Sequence, residues 1–408
     1  MKNNTLYSTV FIIVILFSLT VSITAAYPAY ITSNDGNVYI IDTASDTVSA
    51  KVSVGDDPSV NDPFGVAVTS DGKLVYVTNN IAPKLYIIDA ATNQVIDTVN
   101  VGKTPTGVAV TPDGTKVFVA NSGSNSVSII DTTKEPYIVT DTVPVGTYPY
   151  GVVVTPDGKK VYVSNSGGTT ISVIDTDTNS VTDTVNGINY PGGITINPAG
   201  TEAYVTSGND NTLSVIDIDS KIVTSSVPVG KKPHGVAVTP DGTKVYVANY
   251  GSNSVSVIDV TKNPYSVTEN VPVGKSPYGV AVNPKGTKVY VTNDNSNTVS
   301  VIDAVANRII GTINVRTSPI GISINPNGTK VYVANVGSNI VSIIDTTNNN
   351  VVDTIKVGTH PFAFGQFIIT SSVSTPAISV ANLSNAPAVL LPSQKQFTGQ
   401  SEKSTGWN

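Results

Sequence analysis

One glycine recurs through most of this 408-residue chain at nearly constant spacing, and that period limits the fold more than any other feature. It stands at Gly65, Gly107, Gly151, Gly193, Gly235, Gly279, Gly321 and Gly365, at intervals of 42, 44, 42, 42, 44, 42 and 44 residues. A second marker, the aspartate ending each "VID"-type run, also occurs eight times: Asp42, Asp89, Asp131, Asp175, Asp217, Asp259, Asp303 and Asp345. A unit this short buries its apolar face only against neighbours, so the copies must stack.

Each unit reads as four strands. In the copy beginning at Gly235, Gly235-Val236-Ala237-Val238 is a short apolar run and Pro240-Asp241-Gly242 a hairpin turn. Val245-Tyr246-Val247 follows, then a polar loop from Asn249 to Asn253, then Val255-Ser256-Val257-Ile258, and a last strand through Val267 to Val273. Asp-Gly supplies the positive φ of a tight hairpin, and Val, Ile, Thr and Tyr favour the pleated surface. Helical periodicity is absent after the N-terminal segment. Four strands per unit of about forty residues predict an all-β fold, a β-propeller of four-stranded blades. The near-continuous apolar runs suit sheets covered on both faces by neighbouring blades.

The ends set the blade count. Tyr27 to Val52 supplies only the last three strands of a blade, and Phe362 to Thr370 only a first strand, through Gly365-Gln366-Phe367-Ile368. Together they complete one blade and close the ring, removing the exposed edges an open array would leave. Seven full units and one shared blade give eight. Seven is the alternative, should the segment carrying the insertion Asp56 to Asp62 fail to form its own sheet.

The second strand of each unit reads Val75-Tyr76-Val77-Thr78-Asn79, Val117 to Asn121, Val161 to Asn165, Val245 to Asn249, Val289 to Asn293 and Val331 to Asn335, with Ala203 to Ser207 divergent. With "TPDGTKVYV" and "SVIDT", these runs resemble the YVTN-repeat propellers of archaeal surface-layer proteins, particularly those of methanogens. The resemblance spans 27–370. It implies a cell-surface protein with structural or adhesive duties, whose partners are other surface-layer proteins or cell-wall carbohydrate. After a linker, 371–387, the segment 388–408 carries Gln396-Phe397-Thr398-Gly399 and Gly406-Trp407-Asn408, similar to the opening of a PKD-type domain. A stub this short cannot bury a core of its own and is expected to be disordered.

Residues 1–26 read as a signal peptide: Lys2, an apolar run from Val10 to Leu19, then small residues Thr24-Ala25-Ala26. The expectation is a secreted chain at the cell surface, with no membrane insertion after cleavage. Two sequons, at Asn327 and Asn382, are possible glycosylation acceptors on such a chain.

Catalytic chemistry finds little to use. The chain has no cysteine, two histidines (His234 and His360) and a net charge of −6, so thiolate sites are excluded and no basic footprint for nucleic acid exists. No nucleophile–base pair, phosphate loop or zinc spacing is visible, so neither a cofactor nor an enzyme activity is expected. The "VID" aspartates sit at strand ends, where they can bond turn backbone. Asp56, Asp57 and Asp62 could offer oxygen ligands to calcium, but the spacing fits no EF-hand loop and solvated acid is the better reading. One column varies: the residue before the marker glycine reads Phe64, Thr106, Tyr150, Gly192, His234, Tyr278, Ile320 and Phe364. The neighbouring Pro and Gly repeat with the unit; this column does not. Its aromatic members Phe64, Tyr150, Tyr278 and Phe364, with His234, are the candidate binding residues at the channel mouth. The expected function is a non-catalytic surface module presenting a rigid face to protein or carbohydrate. The alternative is an exported propeller enzyme, cofactor-bearing or lactonase-like.

Overall fold

The computed structural model describes residues 27–55, 62–363 and 367–368. The signal segment, the linker, the PKD-like stub, Asn382, Phe364 and the insertion up to Asn61 lie outside the described residues. Within them the regular elements are strands, apart from two single 3-10 turns at Ser122–Ser124 and Asp294–Ser296.

Eight four-stranded antiparallel sheets follow one another along the chain as the blades of a closed propeller. Blades 2 to 8 occupy 63–100, 105–144, 149–186, 191–228, 233–272, 277–314 and 319–356. Each runs from an innermost strand outward. The segment after the insertion therefore forms its own sheet, and the count is eight. Blade 1 joins both termini: Ala29–Ser33, Asn37–Asp42 and Thr47–Ser53 take Pro361–Phe362 as their innermost strand.

Blade 6 shows the local logic. Its hairpin turns on Gly242, at φ +71°, where a side chain would be strained. The Thr239 hydroxyl donates to Asp241 Oδ1 at 2.5 Å, and the Thr243 N–H donates to the same oxygen at 3.1 Å. The strands Lys244–Asn249 and Ser254–Asp259 are buried along nearly their whole length, because neighbouring blades cover both faces. The outermost strand, Ser266–Pro272, is mostly exposed.

Three repeated contacts hold blade to blade. The marker glycine lets adjacent innermost strands approach: a Cβ at Gly107 would lie 2.3 Å from the Tyr150 carbonyl oxygen, and one at Gly65 2.4 Å from that of Thr106. The Thr78 hydroxyl accepts from the Gly65 N–H at 2.9 Å and donates to the Thr106 carbonyl of the next blade at 2.8 Å. On the outer side, Lys or Tyr of several second strands reaches the next blade's last turn. Lys244 Nζ meets Asn307 Oδ1 at 3.0 Å, and Lys116 Nζ meets Asn179 Oδ1 at 2.9 Å.

The same contact seals the ring, where Lys330 Nζ and the Tyr332 hydroxyl donate to the Asp46 carboxylate at 2.6 and 2.9 Å. The closing strand departs from the sequence expectation. Pro361 pairs with Ser33 and Phe362 with Thr32, the register in which Pro63 pairs with Asn79 and Pro105 with Asn121. The glycine position is thus taken by Ala363, not Gly365, and lies 42 residues after Gly321. Counting glycines placed the last unit two residues late; ladder register corrects it. A further bridge, Ala29 to Ile368, and a bond from the Tyr30 N–H to the Phe367 carbonyl at 2.8 Å complete the closure.

Candidate functional site

Every crossing from one blade's outermost strand to the next blade's innermost strand carries the pattern X-Pro-Z-Gly, with Ala363 for the last glycine. Antiparallel order puts these crossings at the same end of the propeller as the loops between second and third strands. The Z residue is the variable column singled out above.

The structure brings the described members together, but in the interior. Phe64, Tyr150, His234 and Tyr278 are 4, 2, 2 and 1% exposed, and Thr106 and Ile320 are equally buried. The eighth place is filled by Phe362, 2% exposed, as the corrected register requires. The Phe64 ring lies 6.1 Å from that of Tyr150, two blades on, and 5.8 Å from that of Phe362. On the other side, His234 stacks on Tyr278 at 5.1 Å and meets Tyr250 at the same distance. The Phe64–Tyr150 contact skips a blade, and Phe64, Tyr150, Tyr278, Ile320 and Phe362 belong to one buried cluster, so the column forms a plug. These residues, read from the sequence as binding residues at the channel mouth, are thus buried against one another, where apolar rings gain more than by facing water.

Electrostatics agree with a dry interior. Burial, with Lys232 nearby, lowers the His234 imidazole to a pKa of about 3, so it is neutral under ordinary conditions. The Tyr150 phenol is pushed far up by the same burial. His360 is exposed at a crossing and does not join His234. Among the described residues, no group of three or more His, Asp or Glu is placed to hold a metal.

The "VID" aspartates are turn caps. Asp131 is lowered to about 2 by bonds from the Thr133 hydroxyl and N–H, and Asp175 to about 2 by Lys160 and the Thr178 N–H. Asp62, at the end of the insertion, is buried, and burial raises its pKa. Asn327 is exposed on a hairpin, its Oδ1 accepting from the Thr329 hydroxyl at 2.7 Å. Reading single columns missed Tyr250, which joins the plug from the loop between second and third strands, and Phe362. The first carries no periodic signal. The second was legible from the proline spacing.

Comparison with known proteins follows the same lines. A YNCE-like β-propeller model matches residues 43–115 and 109–209, and a model of seven-bladed lactonase propellers matches 222–314. A search of curated proteins finds no match. Among solved structures, the chain is similar to Kuenenia stuttgartiensis hydrazine synthase, with 26% identity, a TM-score of 0.58, and coverage of 70% of this chain and 95% of that one. It is also similar in fold to the dihydro-heme d1 dehydrogenase NirN, at 15% identity and TM-score 0.70, covering 83% of this chain and 74% of that one. A functionally unknown protein of Desulfotomaculum acetoxidans aligns at 19% identity and TM-score 0.58, over 74% of this chain and all of that one. This chain is an eight-bladed repeat propeller, similar in sequence to the YNCE-like and lactonase propellers.

Proposed function

We propose that the chain is an exported, non-catalytic module of a cell surface, a structural or adhesive unit of a surface layer that offers a rigid propeller face to protein or carbohydrate. The observation that carries this reading is the plug. With the column from Phe64 to Phe362 packed across the channel, the part of this end open to a partner is the ring of loops around it, on a closed frame. The N-terminal export signal and the resemblance of the "VYVTN" runs to archaeal surface-layer repeats support the location. Protease shaving of intact source cells tests it: release of propeller peptides is expected, and protection until the cells are lysed would refute it.

A second reading, an exported propeller enzyme, draws on one observation. The lactonase match spans His234, Tyr250 and Tyr278, whose rings stack together, the first and last of them buried. Burial makes the imidazole there a weak base, and a substrate would have to part the stack to reach it. Incubation with five- and six-membered lactones separates the readings. Hydrolysis lost in His234→Phe would favour the enzyme; no hydrolysis supports the module.

A further inference from the structure

At seven of the eight crossings, the residue before the proline has a left-handed φ, between +46° and +58°. This conformation is costly for any residue with a Cβ, and a following proline favours an extended φ instead. The framework imposes it. The N–H of Tyr148 is held by Asn125 Oδ1 at 2.9 Å, that of Lys232 by Asn211 at 2.8 Å, and that of His360 by Asn339 at 3.0 Å. Elsewhere the described residues give a left-handed φ to nine asparagines, one aspartate and one lysine, the economical choice for asparagine. The crossings instead carry Thr, Tyr, Tyr, Lys, Ser, Ser and His. A position that needed only its backbone shape would hold Asn or Gly. Retained strain under varied side chains marks a place where the side chains have work to do.

Charge at and beside these positions points to a ligand, Lys232 holding a strained position itself. Lys231 and Lys232, Lys275, and Arg316 lie in three consecutive crossings, into blades 6, 7 and 8. All four are exposed, and none forms an ion pair among the described residues. Two carboxylates lie on the adjoining loops. Asp294 is buried, and Asp210 is engaged by Asn189 and the Ser207 hydroxyl. At the opposite end lysines pair with aspartates, as in Lys134 with Asp131 and Lys262 with Asp259. A chain of net charge −6 thus gathers an arc of four exposed cations in neighbouring crossings at this end. Tyr148 and Tyr190 stand in the two crossings before it, Tyr148 41% exposed.

We infer that this arc binds an acidic polysaccharide. The cations take its carboxylate or sulfate groups, and the tyrosines offer flat faces to the sugar rings. The inference rests on the surface location proposed above, which favours a polysaccharide over a nucleic acid of similar charge.

Affinity electrophoresis of the full chain tests it, with polygalacturonate as the probe and neutral dextran as the control. Polygalacturonate is expected to retard the protein, less so as salt rises, and dextran to have no effect. Lys231→Gln with Lys232→Gln should raise the apparent Kd about tenfold, while Lys159→Gln at the opposite end leaves it unchanged. Lys232→Gly should weaken binding yet raise Tm by about a degree or two, because strain leaves with the side chain; a folding defect would lower both. An unretarded wild type, an equal loss in Lys159→Gln, or ready displacement by single-stranded DNA overturns the inference. A surface-exposed protein that ignores polygalacturonate refutes this inference alone, whereas protection from shaving refutes the location even where binding persists.

Discussion

Burial, reinforced by Lys232, holds the His234 imidazole at a pKa of about 3, against 6.5 for the free side chain. Between those values the unfolded chain takes up a proton that the native state refuses. Stability therefore rises with pH from 3 to 6.5, is flat in this respect above 6.5, and falls on acidification by about 1.4 kcal/mol per unit. His234→Phe keeps a ring in the plug and removes the titration. Urea unfolding at pH 7 and pH 5 should show the wild type losing about 2 kcal/mol more than the variant. Equal losses would assign the acid sensitivity to other groups. The varied column that contains His234 was legible in the sequence, but its burial was not. A residue that breaks the repeat looks the same on paper whether it faces a ligand or the opposite blade.

At the scale of the element, the "YVTN" strand explains its own asparagine. Asn249 Nδ2 donates to Ser254 Oγ at 3.1 Å and Ser256 Oγ at 2.9 Å, while its Oδ1 accepts from the Gly230 N–H at 3.1 Å. A Cβ at Gly230 would stand 2.6 Å from Asn249 Cγ, and Gly102, Gly146 and Gly274 meet Asn121, Asn165 and Asn293 in the same way. In blade 6 the glycine and asparagine are therefore one device, tying the crossing to its blade. Asn249→Ala takes the acceptor from the half-buried Gly230 N–H and the donor from Ser254 and Ser256, of which Ser256 keeps its bond to Asn270 at 2.7 Å, and should cost about 1–2 kcal/mol in chemical denaturation without changing the far-ultraviolet spectrum. A change under 0.5 kcal/mol would mean that water satisfies these groups equally well. The divergent copy substitutes Ser207, whose hydroxyl donates to the Asn189 carbonyl at 2.7 Å, so a shorter side chain reaches a differently shaped crossing. The repeated asparagine was plain in the sequence; its glycine partner, 19 residues upstream, became evident only when the crossing folded back onto the blade.

For the whole molecule, closure decides stability. Blade 1 gains its fourth strand only when Pro361 and Phe362 pair with Ser33 and Thr32, aided by bonds from Ser33 and Asn34 to the Thr359 carbonyl, each 2.8 Å. Truncation after Gly358 removes that strand and exposes the edge of Ala29–Ser33. An unpaired buried edge invites another chain. The truncated protein is expected to elute as dimers or larger species in size-exclusion chromatography with light scattering, and to melt well below the full chain. A monomer of unchanged Tm would show that the ring does not depend on its clasp.

The sequence by itself determined the unit, its four strands, the turn chemistry at each Asp-Gly and the completion of one blade from both ends. All of these follow from local periodicity and from the need to satisfy strand edges. Tertiary structure alone decided the rest: that the aromatic column packs across the channel, and that side chains at strained crossings form a cationic arc. The division has one physical cause. Periodicity records what each blade needs from its neighbours, whereas meetings across the axis join residues that no fixed spacing relates.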